Sequence, residues 1–220
     1  MNIDIVVMDY DRTIADEESL MINEELKSFL KIIPQKKILA TGRTLNNIPD
    51  KSVFKIFDAI VAENGTVVVI NGVKEILPNK NWNILKELII KASEKRNLKL
   101  LYGEVIIFGR IEDYEKTLDL LEKEGMLKEI FIDFNKNNFM ILPKYWNKGK
   151  GVKIVIEKIG GGKVMAIGDE LNDLSLFEIA DIKVAVSNAI PEVKSKADII
   201  CEEKNGKGVL QILKKYLRCK

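Results

Sequence analysis

Short β-branched apolar runs alternate with segments of helical period along most of the 220 residues. The run IDIVVM (3–8) predicts a buried first strand, and the turn that leaves it reads DYDRT (9–13). Over about 19–33, Ile22, Leu26, Phe29, Leu30 and Ile33 share one helical face, and Pro34 ends that helix. KKILA (36–40) predicts a short buried strand left by TGR (41–43), and FDAIVA (57–62) a third, followed by ENG. TVVVI (66–70) and VKEIL (73–77) flank Asn71-Gly72, a pair that favours a two-residue hairpin turn.

From Pro78 the rhythm changes. A helix at 81–96, strands LKLLYG (98–103) and EVIIFG (104–109), a helix at about 112–124, and strands EIFIDF (129–134) and NFMILP (138–143) follow in turn. That αββαββ order predicts a small sheet with helices on one face. Residues 78–145 therefore read as an inserted second domain, with 1–77 and 146–220 forming the core. The remainder alternates strictly: helix 150–160, strand KVMAIG (163–168), helix 170–180, strand IKVAV (182–186), a short helix after Pro191, strand DII (198–200), and a helix from about 207. Alternating βα units predict an α/β core with a parallel sheet and helices on both faces. The handedness of the crossovers puts every strand end on one edge.

Composition narrows the chemistry that such an edge can run. The 35 basic and 33 acidic residues are mixed along the chain, so there is no basic stripe and no case for nucleic acid as a partner. The N-terminus carries Asp4 in a short apolar run and does not read as a signal peptide. No run approaches the roughly 18 apolar residues of a membrane span, so a cytoplasmic protein is expected. Histidine is absent altogether, which removes histidine nucleophiles, Ser-His and Cys-His pairs and the usual zinc sites. Of the two cysteines, Cys201 is expected to close a buried strand and Cys219 to lie in a fraying tail. Hydrolysis is left with carboxylates, lysine and an oxygen-liganded metal.

In an open α/β sheet the ligand site lies beyond the carboxyl ends of the strands. There this chain places Asp9, Asp11 and Thr13; Thr41, Gly42 and Arg43; and Asp169, Asn172 and Asp173, while Lys148 opens the helix that feeds the last of these strands. Taken singly, Thr41 or Asp169 reads equally well as a helix cap, and Lys148 as a solvated lysine. Together on one edge they read as a site for metal-assisted phosphoryl transfer. Carboxylates without histidine make a hard, oxygen-rich site that suits Mg²⁺. Asp9 would attack phosphorus once the metal and Lys148 neutralise the phosphate. Thr41 and the Gly42 N–H would donate to its oxygens. Asp11 would protonate the leaving alkoxide and later deprotonate water.

These motifs resemble the haloacid dehalogenase (HAD) superfamily of aspartate-nucleophile phosphatases, in the branch with a large cap between the second and third motifs. DYDRT matches the DxDxT motif, Thr41 in TGR the second motif, Lys148 the lysine, and GDELND (168–173) the acidic motif. VAVSNAIPEVKSKAD (184–198), with the later GKGV, is similar to the branch's C-terminal sequence. The resemblance implies a Rossmann-like doubly wound core with an αββαββ cap, and an aspartyl-phosphate formed on Asp9. It implies Mg²⁺ held by the Asp9 carboxylate, the Asp11 main-chain carbonyl and Asp169, with Asp173 acting directly or through water and Asn172 at the phosphate.

Two positions depart from the pattern. Arg12 stands where relatives usually carry glycine, and would face solvent, the cap or the substrate; Lys150 is a second candidate for the phosphate lysine, though the flanking Asn147 and Gly149 favour Lys148. The cap's compact size resembles that of archaeal phosphoglycolate phosphatases, so a small ester such as 2-phosphoglycolate is expected. A sugar-phosphate phosphatase of the sucrose-phosphate or mannosyl-3-phosphoglycerate type, or a phosphomutase, is the alternative. Phe108, Phe131 and Phe139 are expected to pack rather than to touch a ligand.

Overall fold

The computed structural model describes residues 2–78, 80–135 and 137–217. Along the first part run β1 (Ile5–Asp9), α1 (Glu24–Ile32), β2 (Lys36–Ala40), the single turn α2 (Val53–Ile56), β3 (Ala59–Ala62) and the hairpin β4 (Val67–Ile70)–β5 (Val73–Ile76). The middle holds α3 (Lys80–Lys95), β6 (Leu101–Tyr102), β7 (Ile107–Arg110), α4 (Tyr114–Lys123), β8 (Ile130–Asn135) and β9 (Asn138–Pro143). Then come α5 (Lys148–Lys158), β10 (Val164–Gly168), α6 (Leu174–Phe177), β11 (Ile182–Ala185), α7 (Pro191–Lys196), β12 (Ile199–Ile200) and α8 (Asn205–Tyr216).

One sheet has the order β12-β11-β10-β1-β2-β3-β4-β5, and a second has β6-β7-β9-β8. The first six strands of the large sheet are parallel, and the β4–β5 hairpin closes its edge antiparallel. Every residue of β1 is buried, which is why its sequence shows no polar alternation: both faces are covered. Met8 pairs with Ile167 and Asp9 with Ala40, so the ends of β1, β2 and β10 stand level. That register sends the three acid- and hydroxyl-bearing loops off the same edge.

α5 approaches this edge backbone to backbone. A side chain at Gly65, which has φ +98°, would bring its Cβ to 2.0 Å from the Asn147 carbonyl oxygen, and one at Gly149 to 2.0 Å from that of Ser175. Only glycine fits either contact. With the Asn147 side chain capping the helix by accepting from Lys150 N–H at 2.9 Å, the first turn of α5 is fixed from three sides, and Lys148 with it.

Several elements are shorter than their sequence pattern predicts. The first helix starts at Glu24, not near residue 19, because the Asn23 side chain accepts from Leu26 N–H at 2.8 Å and caps it there. Residues 16–22 form a turn instead, organised by Asp16 accepting from the amides of Glu18 and Ser19. The predicted helix at 170–180 is a 3₁₀ turn (Leu171–Asp173) running into the one-turn α6. α5 begins at Lys148, two residues before the predicted start. The two strands read across 98–109 shrink to β6 and β7, since the amides of Glu104, Val105 and Ile106 are taken by the Glu63 carboxylate. Cys201 follows β12, buried, with its N–H on the Ala185 carbonyl, and burial pushes its thiol up to about 12. Cys219 lies outside the described residues.

The second sheet has two unlike faces. Along β9, Phe139 and Ile141 join the large apolar cluster, and Phe139 meets the Tyr114 ring of α4 edge-on at 5.5 Å. Met140 and Leu142 alternate to the opposite face, where they form a separate cluster with Ile106 and partly buried Phe108. That face looks onto the carboxyl edge of the large sheet.

Candidate active site

Between the edge and the second sheet lies a pocket of about 370 Å³. Asp9, Asp11, Arg12, Gly42, Arg43, Lys148, Asp169 and Asn172 line it from the large sheet, and Ile106, Phe108, Asn138 and Met140 from the small one. Lys148 is almost fully buried in it. Its Nζ donates to Asp9 Oδ1 at 2.6 Å, Asp173 Oδ1 at 2.7 Å and Asn172 Oδ1 at 3.3 Å, so all three donors are used. Asp173 Oδ2 accepts from the amides of Asp169 and Glu170 at 2.9 and 3.0 Å, which folds the GDELND loop around it. Thr13 Oγ1 donates to Asp169 Oδ1 at 3.0 Å.

The outer wall is built on arginines. Arg43 holds both oxygens of Asp11 through Nε and Nη2, at 2.7–3.0 Å, and Thr41 Oγ1 accepts from Arg43 N–H at 3.1 Å. Thr41, Thr13 and Asp173 are fully buried behind the pocket wall, whereas Gly42 forms part of its surface. Lys150 stays outside, its Nζ 4.4 Å from the Trp146 ring centroid. Thus Lys148, not Lys150, meets the acids.

This architecture has known counterparts. A model of haloacid dehalogenase-like hydrolases matches residues 78–213. The chain is 38% identical to phosphoglycolate phosphatase 2 of Saccharolobus solfataricus, over 97% of its own length and 92% of the relative's. It is 33% identical to a phosphoglycolate phosphatase of Sulfurisphaera tokodaii, over 97% and 94%. The chain is a haloacid dehalogenase-like hydrolase.

Among solved structures, one from Thermoplasma acidophilum superposes with a TM-score of 0.79 at 17% identity, covering 98% of both chains. A HAD subclass IIB sugar phosphatase superposes with 0.73 at 18% identity, covering 97% of this chain and 98% of its own. At such identities the likeness is one of fold. Family and relatives together make this HAD protein a phosphatase.

The electrostatics of the HAD pocket favour a cation. Burial raises Asp9 well above the ordinary carboxylate range, and the charge of Asp173 raises it further against the pull of Lys148. Burial, then Asp173, push Asp169 up to about 7, against Arg12 and Thr13. Burial alone would lower Lys148, but Asp173 and Asp9 outweigh it and hold the ammonium firmly charged. One oxygen from each of Asp9, Asp169 and Asp173 lies within 4.8 Å of the others. Three carboxylates against the Lys148 ammonium and the Arg12 guanidinium, 3.4 Å from Asp169 Oδ2, leave one negative charge, and Asp169 Oδ2 is buried with no hydrogen bond. An oxygen-rich, net negative cluster with an open lone pair fits a hard divalent cation.

The sequence pattern left Arg12 open between solvent, cap and substrate. The side chain in fact turns onto the core: Nη1 donates to Glu170 Oε1 at 2.5 Å and lies 3.4 Å from Asp169 Oδ2, and Nη2 donates to the Asn188 carbonyl at 3.1 Å. Its φ of 58° is a left-handed conformation that explains why glycine suits the position. Phe108 packs against Ile106 and Met140, on the face of the small sheet that lines the pocket; Phe139 is buried as expected, and Phe131 is 42% exposed. Sequence reading missed Glu63 and Asn64 of the ENG turn. Asn64 Nδ2 donates to Asp133 of β8 at 3.2 Å, and both residues of the turn have φ near 50°. Two successive left-handed non-glycine residues are a costly conformation, but no apolar or motif signal marks them.

Proposed function

We propose that this HAD phosphatase hydrolyses a small phosphate monoester, 2-phosphoglycolate first, through a phosphoryl group carried transiently on Asp9. The observation that carries the reading is Lys148 spanning Asp9 and Asp173 at the floor of a small, roofed pocket. The names of the archaeal relatives support the substrate, and a volume of about 370 Å³ with an apolar roof suits a short leaving group.

The Gly42 N–H and Asn172 Nδ2, which is buried without an acceptor, would take the phosphate oxygens, and Lys148 would exchange its 3.3 Å contact to Asn172 Oδ1 for one of them. Thr41, behind the pocket wall with its oxygen accepting from Arg43 N–H, would hold the loop that presents Gly42. Asp9 forms a bond to phosphorus as the ester P–O bond breaks, and the leaving oxygen takes a proton from Asp11. Water then attacks phosphorus, giving its proton to Asp11, and the P–O bond to Asp9 breaks to release phosphate. In the resting structure Arg43 holds both Asp11 oxygens at the pocket wall, so Asp11 would leave that pair to carry the proton in each transfer. Mg²⁺, held by Asp9, the Asp11 main-chain carbonyl, Asp169 and Asp173, would neutralise the phosphate's charge.

The test is phosphate release, with Mg²⁺, from a panel of phosphoglycolate, sugar phosphates, nucleotides and p-nitrophenyl phosphate. Release selective for phosphoglycolate is expected; release selective for a hexose phosphate would replace that substrate, and isomer formation without phosphate would make the protein a mutase.

Chelation supplies an independent check. EDTA should silence turnover and Mg²⁺ restore it, while Mg²⁺ raises the thermal midpoint of the resting protein. Asp169 has its proton affinity raised in the metal-free fold, so protons compete with the cation as pH falls through about 7. The Mg²⁺-induced shift in midpoint should therefore be larger at pH 8 than at pH 6. A shift independent of pH, or turnover indifferent to EDTA, would remove the cation from this cluster.

A further inference from the structure

Glu63 takes no part in the chemistry above, yet its carboxylate is among the most committed polar groups in the molecule. It is 1% exposed, and its two oxygens accept from three successive amides across the gap between the sheets: Glu104 at 2.9 Å, Val105 at 2.8 Å and Ile106 at 2.9 Å. A carboxylate gathering several backbone N–H groups is a strong, charge-assisted contact. From the far side, Lys86 of α3 donates to the carbonyls of Gly103 and Glu104 at 2.6 and 2.8 Å. The segment 103–106 is thus gripped through its amides by the large sheet and through its carbonyls by α3.

Both ends of this grip touch the pocket. On one side, the Glu63 N–H donates to the Arg43 carbonyl at 3.0 Å and the Asn64 N–H to the Thr41 carbonyl at 3.1 Å, so the ENG turn is stitched to the phosphate-facing loop. On the other, the gripped segment ends in Ile106 and leads to Phe108, both of which form the roof. Gly103 has a matching constraint: a Cβ there would lie 2.5 Å from a Glu63 carboxylate oxygen.

We propose that Glu63 is a positioning residue for the phosphatase reaction, a clamp that fixes the roof strand at one height above the phosphate loop and so sets the depth of the space left for the leaving group. The proposal rests on the reading that the ester binds in this pocket. It makes the second sheet a fixed roof whose fit discriminates among leaving groups, with Glu63 acting through Ile106 and Phe108 and never on phosphorus.

The experiment compares wild type, Glu63→Ala, Gly103→Ala and the double variant by amide exchange and by steady-state kinetics on phosphoglycolate and p-nitrophenyl phosphate. In Glu63→Ala the amides of residues 104–106 should lose protection while β1 and β10 keep theirs. KM should rise about tenfold for the ester the wild type prefers, with kcat changed less than about threefold. Inhibition by inorganic phosphate, which meets only the large-sheet donors, should stay within about twofold. Gly103→Ala, which displaces the carboxylate without removing it, should give the same pattern, and the double variant should be no worse than Glu63→Ala. Unchanged protection at 104–106, an unchanged KM, or additive losses in the double variant would overturn the clamp. If the wild type hydrolyses neither ester, the functional reading falls, and the exchange data still decide whether Glu63 holds the roof.

Discussion

Asp9→Asn should lower turnover of the preferred phosphate ester by roughly four orders of magnitude or more, because the amide oxygen is no nucleophile toward phosphorus. The substitution is nearly isosteric, so the loss belongs to chemistry and not to packing. Lys148 keeps Asp173 at 2.7 Å, and the amide oxygen of the variant side chain still accepts from it where the Asp9 carboxylate did at 2.6 Å. The fold should be unharmed and even favoured without metal. Asp9 is an acid raised by burial and by Asp173, and such a group destabilises the fold increasingly as pH rises from its unfolded value toward its folded one. Above that window the wild type carries the full cost and the amide none. Differential scanning in EDTA at pH 8 should find the variant's midpoint equal to or above wild type, with a smaller shift on adding Mg²⁺. Turnover within tenfold of wild type would exclude Asp9 as the nucleophile, whatever the scan showed.

The parts of this molecule that were legible from sequence are those where local composition leaves little choice. β1, β2 and β10 are continuous apolar runs between polar turns, and their ends carry Asp9, Thr41 and Asp169 onto one edge because parallel βα units allow no other arrangement. Lys148 was readable from its neighbours. What escaped was set by contacts distant in sequence. Nothing near Glu63 announces that its carboxylate will take three amides some forty residues away and thereby shorten β6 and β7. The Arg12 side chain settles onto Glu170 and Asn188, more than 150 residues on, which only the folded core brings within reach. The spacing of Asp11 to Asp9 predicts a proton-transfer role, yet its bidentate pairing with Arg43 depends on the turn after β2. For Phe108, alternation identifies an apolar position of a strand without telling which of two covered faces meets a pocket.

The second large effect is expected at Lys148, and it should appear in stability as well as in rate. Replacing it with methionine keeps the apolar stem and removes the one ammonium that spans Asp9 and Asp173, in a site where the lysine side chain is 2% exposed and the two acids 6% and 0%. Removing one member of a buried charge cluster leaves the rest uncompensated, which costs about 3–5 kcal/mol. For a chain of this size that is a fall of roughly 10–15 °C in the thermal midpoint.

The sign of the pH dependence separates this from simple loss of packing. Without the ammonium, Asp9, already raised by burial and by the Asp173 charge, is pushed further up. A raised acid contributes stability that is present at low pH and lost as pH rises through its folded value, so the deficit against wild type should be small near pH 5 and largest near pH 8. A packing defect would be the same at both. Lys150→Ala is the internal control: its side chain lies against the Trp146 ring, and the bond to Asn147 Oδ1 comes from the backbone, so the change should cost less than about 1 kcal/mol and little activity. Equal losses at the two lysines would deny Lys148 its place at the centre of the site. A Lys148→Met deficit that grows with pH and shrinks with added Mg²⁺ would mean that lysine and cation neutralise the same buried acids.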